Sequence, residues 1–178
     1  MKFNNKPIGI LGGSFDPPHV GHLKIANYSL KKLNLKKIYW LVTKKNPLKK
    51  KPFFSLKKRI KLSKNLVKNI KKINVVYFDN KVRSSKTIKL LKFLIKREKS
   101  NNIYLIIGSD NIINFKKWHG WDQILQLSRI VVFSRRGFDQ KALKIMSTIR
   151  KKSKNILFIK NQKIDISSSK IRDIIKKN

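Results

Sequence analysis

Two imidazoles three residues apart, His19 and His22, stand shortly after a glycine pair, Gly12-Gly13, with Ser14-Phe15-Asp16-Pro17-Pro18 between them. Histidines at i and i+3 share a helix face and can converge on one ligand. Glycines let a bulky anion approach the backbone. A helix N-terminus adds free N–H groups and the positive end of a dipole. This combination suits phosphate. Near the other end of the chain, Ser167-Ser168-Ser169 run into a helical pattern that carries Arg172. A cap is an adequate role for one serine. Three in a row, with an arginine one turn on, fit a second phosphate-binding helix start, Arg172 acting as a planar multi-donor clamp. The spacing is neither G-x-G-x-x-G nor that of a P-loop. No nucleophile–base pair is in evidence.

Alternating elements position these residues. Ile8-Gly9-Ile10-Leu11 reads as a buried first strand, and the apolar spacing of residues 23–30 as a helix. Further strands are expected at 38–42, 74–78, 103–107, 130–133 and 156–159. Helices are expected at 55–67, 87–95, 121–127, 140–151 and 168–176, with a helical turn over 111–115. The 55–67 helix reads as basic and amphipathic, with Leu56, Ile60, Leu62 and Leu66 or Val67 as its apolar side. Short apolar strands alternating with helices predict a single α/β domain over residues 1–178. It is Rossmann-like and doubly wound, its mostly parallel sheet covered by helices on both faces. Ligands in such sheets bind beyond the carboxyl ends of the strands. Gly12, the 43–54 loop, Gly108 and Arg135 all follow strands and should meet on one rim. The 43–54 loop, with five lysines and two prolines, reads equally as a mobile lid or a solvated loop.

The 178 residues suffice for one domain with a real core. With no cysteine, disulfides and cysteine–zinc sites are excluded. Three histidines and eight acids leave little for a protein-built metal cage. No apolar run approaches the ~20 residues that span a bilayer, and the first residues hold no apolar signal core. A cytoplasmic protein without membrane contact is expected. The net charge of +37 would by itself suggest a nucleic-acid partner. The lysines, however, are spread over nearly every segment, as A/T-rich codon drift produces. They read as solvated helix faces that concentrate anions, with no specific nucleic-acid site.

The Gly12–His22 segment resembles the signature of the H-x-G-H nucleotidyltransferase superfamily, and Ile166-Ser167-Ser168-Ser169-Lys170-Ile171-Arg172 resembles its second signature. Over nearly its full length the chain looks most like the nicotinate-nucleotide adenylyltransferases. The intervening support is Asn46-Pro47-Leu48-Lys49, Gly108-Ser109-Asp110-Asn111, the Phe115-to-Trp121 segment and Ser134-Arg135-Arg136-Gly137. The resemblance implies ATP and nicotinate mononucleotide as substrates, deamido-NAD and pyrophosphate as products, and Mg2+ carried mainly on the ATP phosphates. It implies His19, His22 (nearest the α-phosphate) and Arg172 as catalytic residues. Gly12, Gly13, Ser14, Phe15, Gly108, Asp110, Ser168 and Ser169 would bind ATP, Ser14 and Phe15 through backbone N–H groups and Asp110 through the ribose. Lys49, Thr87, Trp118, His119 and Arg135 would bind the mononucleotide.

Several assignments have a second reading. Lys50 or Lys51 could replace Lys49, and Arg136 could replace Arg135. Asp110 could simply cap a helix. Trp118 could be core, since Phe115, Trp118 and Trp121 have helical spacing. The chain also departs from the family pattern at Lys86-Thr87-Ile88-Lys89, where lysines replace an aromatic residue and an acid. A backbone contact through Thr87 tolerates this, and Lys86 would attract a carboxylate. Rival readings are a nicotinamide mononucleotide or pantetheine-phosphate acceptor and, from another class, a basic nucleic-acid-binding module. The state of assembly, a homo-oligomer included, is left open.

Overall fold

The computed structural model describes residues 6–44, 51–160 and 166–177. Six strands form one sheet in the order β3-β2-β1-β4-β5-β6, every neighbouring pair parallel. They are β1 (Ile8–Gly13), β2 (Lys37–Val42), β3 (Ile73–Val76), β4 (Ile103–Gly108), β5 (Arg129–Phe133) and β6 (Ile156–Ile159). The helices are α1 (Val20–Lys32), α2 (Leu56–Val67), α3 (Asp79–Val82), α4 (Thr87–Glu98), α5 (Ser109–Ile112), α6 (Trp121–Leu127), α7 (Asp139–Arg150) and α8 (Ser168–Lys177). The order reverses between β1 and β4, and this switch point is where such sheets bind ligands.

Strand side chains alternate between two cores. Ile8, Ile10, Tyr39, Leu41, Leu105 and Ile107 face one cluster, which α4, α6 and α7 cover with Leu91, Ile124 and Met146. Leu11, Ile38, Trp40, Val42, Ile106 and Val131 face the other, under α1 and α2. Burial on both faces explains why these strands read as unbroken apolar runs. Among the described residues no helix is long and apolar enough to cross a membrane.

Three local expectations differ from the structure. The third strand stops at Val76, and Phe78 turns inward at the start of the short α3. The expected turn at 111–115 is α5 followed by a 3-10 turn over Phe115–Lys117. Gly120, at φ +67°, then separates that turn from α6, so Phe115, Trp118 and Trp121 do not share one helix. On α2 the fully buried stripe is Arg59, Ser63 and Val67, with Leu56, Ile60 and Leu66 at its edges.

Candidate active site

At the carboxyl ends of β1, β4 and β5 lies a cavity of about 1130 Å³, just above the usual size range for small-molecule sites. Ser167 does not line it, and its Oγ accepts the Lys170 N–H at 3.2 Å. With one exception, every residue assigned above to catalysis, ATP or the mononucleotide lines it. The exception, Lys49, lies outside the described residues, as does the Asn46-to-Lys49 segment around it. Lys51 lines the cavity.

The turn after β1 brings the first motif to the rim. The Gly13 carbonyl accepts from the Thr43 N–H at 3.0 Å, joining the ends of β1 and β2. Phe15 is buried and holds φ +48°. That left-handed conformation is costly for a bulky residue and persists only when the surroundings hold it. Its ring stacks on Trp40 at 4.5 Å and meets the His22 ring edge-on at 5.0 Å. A Cβ on Gly13 would stand 3.3 Å from the Phe15 ring.

His19 caps α1 and His22 stands one turn in, their ring centroids 3.8 Å apart. The His19 backbone N–H donates to His22 Nδ1 at 3.3 Å. An imidazole that accepts at Nδ1 carries its proton on Nε2, so His22 offers an Nε2–H donor. The His19 Nδ1 is buried without a hydrogen-bonding partner among the described residues. Burial, reinforced by the Arg135 charge, lowers the His19 pKa from 6.5 to about 4. His19 is therefore neutral at pH 7.

The C-terminal motif closes onto this turn. Arg172 Nη1 donates to the Asp16 carbonyl at 2.5 Å and lies 3.7 Å from Asp16 Oδ2. Ser168 Oγ donates to the Pro17 carbonyl at 2.9 Å. Arg172 Nη2 reaches Ser169 Oγ at 3.0 Å. Segments more than 150 residues apart in sequence thus form one cationic rim.

On the β4–β5 side, Arg135 Nη1 pairs with Asp110 Oδ2 at 2.7 Å. Asp110 does more than stand at a helix start: it spans to the neighbouring strand's loop. Asp139 fixes the Arg135 backbone, accepting its N–H at 2.9 Å and the Ser134 hydroxyl at 2.5 Å. Burial pushes the Asp139 carboxyl up, but these hydrogen bonds outweigh it and the pKa is lowered. Trp118 lies between core and cavity. It packs against buried Phe115, rings 5.4 Å apart, and still lines the cavity. His119 is exposed at the mouth, and Thr87 opens α4 beside it on the same cavity.

Two residues at this site carry roles that the sequence reading did not assign. The Asp16 carboxylate accepts the Phe53 and Phe54 N–H groups at 2.7 and 2.8 Å, tying the end of the 43–54 loop to the first motif. Arg59, read from sequence as part of a basic helix, is 1% exposed. A signal for it existed: it is the sole arginine of α2 and lies on the apolar stripe, three residues after Leu56 and one before Ile60.

An all-parallel doubly wound sheet, with a cationic cavity at its switch point and helix N-termini on the rim, defines a nucleotide-binding α/β protein. Residues 10–174 match the cytidylyltransferase-like family. A probable nicotinate-nucleotide adenylyltransferase of Pelagibacter ubique is 43% identical over 167 residues, covering 94% of this chain and 92% of that one. One from Clostridium novyi is 37% identical over 175 residues, covering 96% and 88%. A solved structure titled Plasmodium falciparum nicotinic acid mononucleotide adenylyltransferase complexed with NaAD superposes with a TM-score of 0.77 at 22% identity, covering 97% of this chain and 90% of that one. This last likeness is one of fold. The chain belongs to the cytidylyltransferase-like family and, within it, to the nicotinate-nucleotide adenylyltransferases, which are nucleotidyltransferases.

Proposed function

We infer that the protein transfers the adenylyl group of ATP to nicotinate mononucleotide. An oxygen of the mononucleotide phosphate attacks the α-phosphorus of ATP. The bond from that phosphorus to the bridging oxygen breaks, releasing pyrophosphate and leaving deamido-NAD. The observation that carries this reading is the closure of the Ser168–Arg172 helix start onto the Asp16–Pro17 turn. It puts two sets of phosphate donors on one rim.

Each residue's role follows from what it can donate. His22, held by the His19 N–H, turns its Nε2–H to the α-phosphate oxygens, where negative charge builds. Neutral His19 adds a second imidazole, and its charge rises as the triphosphate enters. Arg172 with Ser168 and Ser169 takes the departing pyrophosphate. The Gly12-Gly13-Ser14-Phe15 turn contributes backbone N–H groups and close approach. Asp110 with Gly108 holds the adenosine ribose. Arg135 takes the mononucleotide phosphate, Trp118 stacks on the pyridine ring, and Thr87, His119 and Lys49 complete that half.

Magnesium enters as part of the substrate, MgATP. The cavity acids are already engaged, Asp16 by Phe53, Phe54 and Arg172 and Asp110 by Arg135. Among the described residues no three potential ligands cluster. On this reading the triphosphate oxygens supply most of the ion's ligands. A cytoplasmic location and a single domain over residues 1–178 belong to the same reading.

The test is pyrophosphate release with ATP and each acceptor offered separately. Preference for nicotinate mononucleotide over nicotinamide mononucleotide and phosphopantetheine is expected. Clear preference for either of the others, or no transfer together with tight salt-dependent binding to DNA or RNA, would replace it. His22→Ala should lower kcat on the order of 100- to 1000-fold while circular dichroism stays that of the parent. Near-normal turnover in that variant removes the role given to His22.

A further inference from the structure

Arg59 lies behind the cavity wall, outside the lining, and its guanidinium makes four hydrogen bonds to backbone carbonyls. Nη1 donates to Ser14 at 2.6 Å and to Thr43 at 2.8 Å. Nη2 donates to Lys44 at 3.0 Å, and Nε to Phe54 at 3.1 Å. One side chain therefore joins the turn after β1, the chain leaving β2 and the chain entering α2. A planar fork of five donors can do this, whereas a lysine ammonium of similar charge cannot match the geometry. Asp79 Oδ2 and the Asp16 carboxylate secure the same segments from other sides, through the Lys44, Phe53 and Phe54 N–H groups.

The consequence falls on one peptide. The Ser14 carbonyl is held toward Arg59, and a planar trans peptide points its N–H the opposite way. That N–H belongs to Phe15, a cavity residue in the strained left-handed conformation. Stacking on Trp40 holds the Phe15 ring, and Arg59 holds the peptide that precedes it. The next residue, Asp16, presents the carbonyl that seats Arg172.

We propose that Arg59 is a positioning residue for adenylyl transfer. It fixes the Ser14–Phe15 peptide so that the Phe15 N–H meets the reacting phosphates and the Asp16 carbonyl meets Arg172. It touches no substrate. The proposal rests on the adenylyl-transfer reading, and it separates Arg59 from the solvated lysines around it on α2.

The experiment compares the parent with Arg59→Lys and Arg59→Ala, with rates referred to the cooperatively folded fraction. In Arg59→Lys, kcat should fall on the order of 100-fold, as a misplacement of about 1 Å can produce. The KM for nicotinate mononucleotide should change by less than kcat does, because Trp118 and Arg135, which take its ring and phosphate, lie on the β4–β5 side and, of its contacts, only Lys49 belongs to the 43–54 loop that Arg59 anchors. Millimolar guanidinium should restore part of the Arg59→Ala rate, and methylammonium should not. Backbone amide exchange in Arg59→Lys should quicken over residues 12–16 and 53–54 while β4 and β5 keep their protection. A kcat for Arg59→Lys within twofold of the parent overturns the proposal. So does failure of that variant to fold cooperatively, since the residue's work would then be stability alone. Absence of turnover in the parent counts against the adenylyl-transfer reading instead, and the exchange data still report whether Arg59 holds the turn.

Discussion

Asp110, in the first turn of α5 after β4, and Arg135, in the loop after β5, pair at the cavity wall with Oδ2 2.7 Å from Nη1. Each is assigned to a different substrate, the acid to the ATP ribose and the cation to the mononucleotide phosphate. Each substrate therefore meets a residue already partnered by the other's.

Asp110→Asn should move the two KM values in opposite directions. Loss of a charged acceptor for the ribose should raise the KM for ATP by about tenfold. Weaker competition for Arg135 should lower the KM for the mononucleotide severalfold. The ion pair itself adds little stability, since the Arg135 side chain is 41% exposed. Initial-rate measurements with each substrate varied decide it, and parallel rises in both KM values would contradict the assignment.

His19 links proton binding both to folding and to ATP. The unfolded chain takes a proton near pH 6.5, whereas the folded chain takes it only near pH 4. Between those values the unfolded state binds more protons, so the His19 contribution makes stability rise with pH from about 4 to about 6.5 and level off above. Binding has the opposite sign. A triphosphate against His19 raises its pKa, so ATP binding takes up a proton and tightens as pH falls from 7. ATP titrates too, and His19→Gln subtracts that background. Indistinguishable pH dependence of the KM for ATP in parent and variant would rule the linkage out.

Gly108→Ala should separate function from stability. Its φ of −83° suits any residue. An added Cβ would stand 2.5 Å from Asp110 Oδ1. The obstacle is the carboxylate end of a side chain, bonded to Arg135 and Asn111 but able to rotate, so Asp110 moves and the backbone stays. Stability should change by no more than about 1 kcal/mol, while the KM for ATP rises as in Asp110→Asn. A thermal melt beside the kinetics checks both halves; a large fall in Tm with unchanged KM would place the glycine's importance in packing.

The sequence by itself determined the alternation of strands and helices, because period-2 and period-3.6 apolar patterns are local consequences of which faces are buried. It also marked Gly12, His19, His22, Ser168 and Arg172 by their types and spacing, and the structure gathers them on one cavity. It misplaced the end of β3, because Phe78 is as apolar as a strand residue and its turn into α3 depends on packing against Tyr39 and Phe93. It left open whether Trp118 is core or cavity wall, since ring burial and cavity exposure follow from how the 3-10 turn sits against the core. Tertiary structure alone decided that Asp110 pairs with Arg135, that Asp16 holds Phe53 and Phe54, and that Arg59 is buried rather than solvated. Each of these joins residues distant in sequence through backbone or side-chain donors whose partners are set by strand order. No local pattern encodes such a pairing, because a lysine-rich helix looks the same whether its one arginine faces water or four carbonyls.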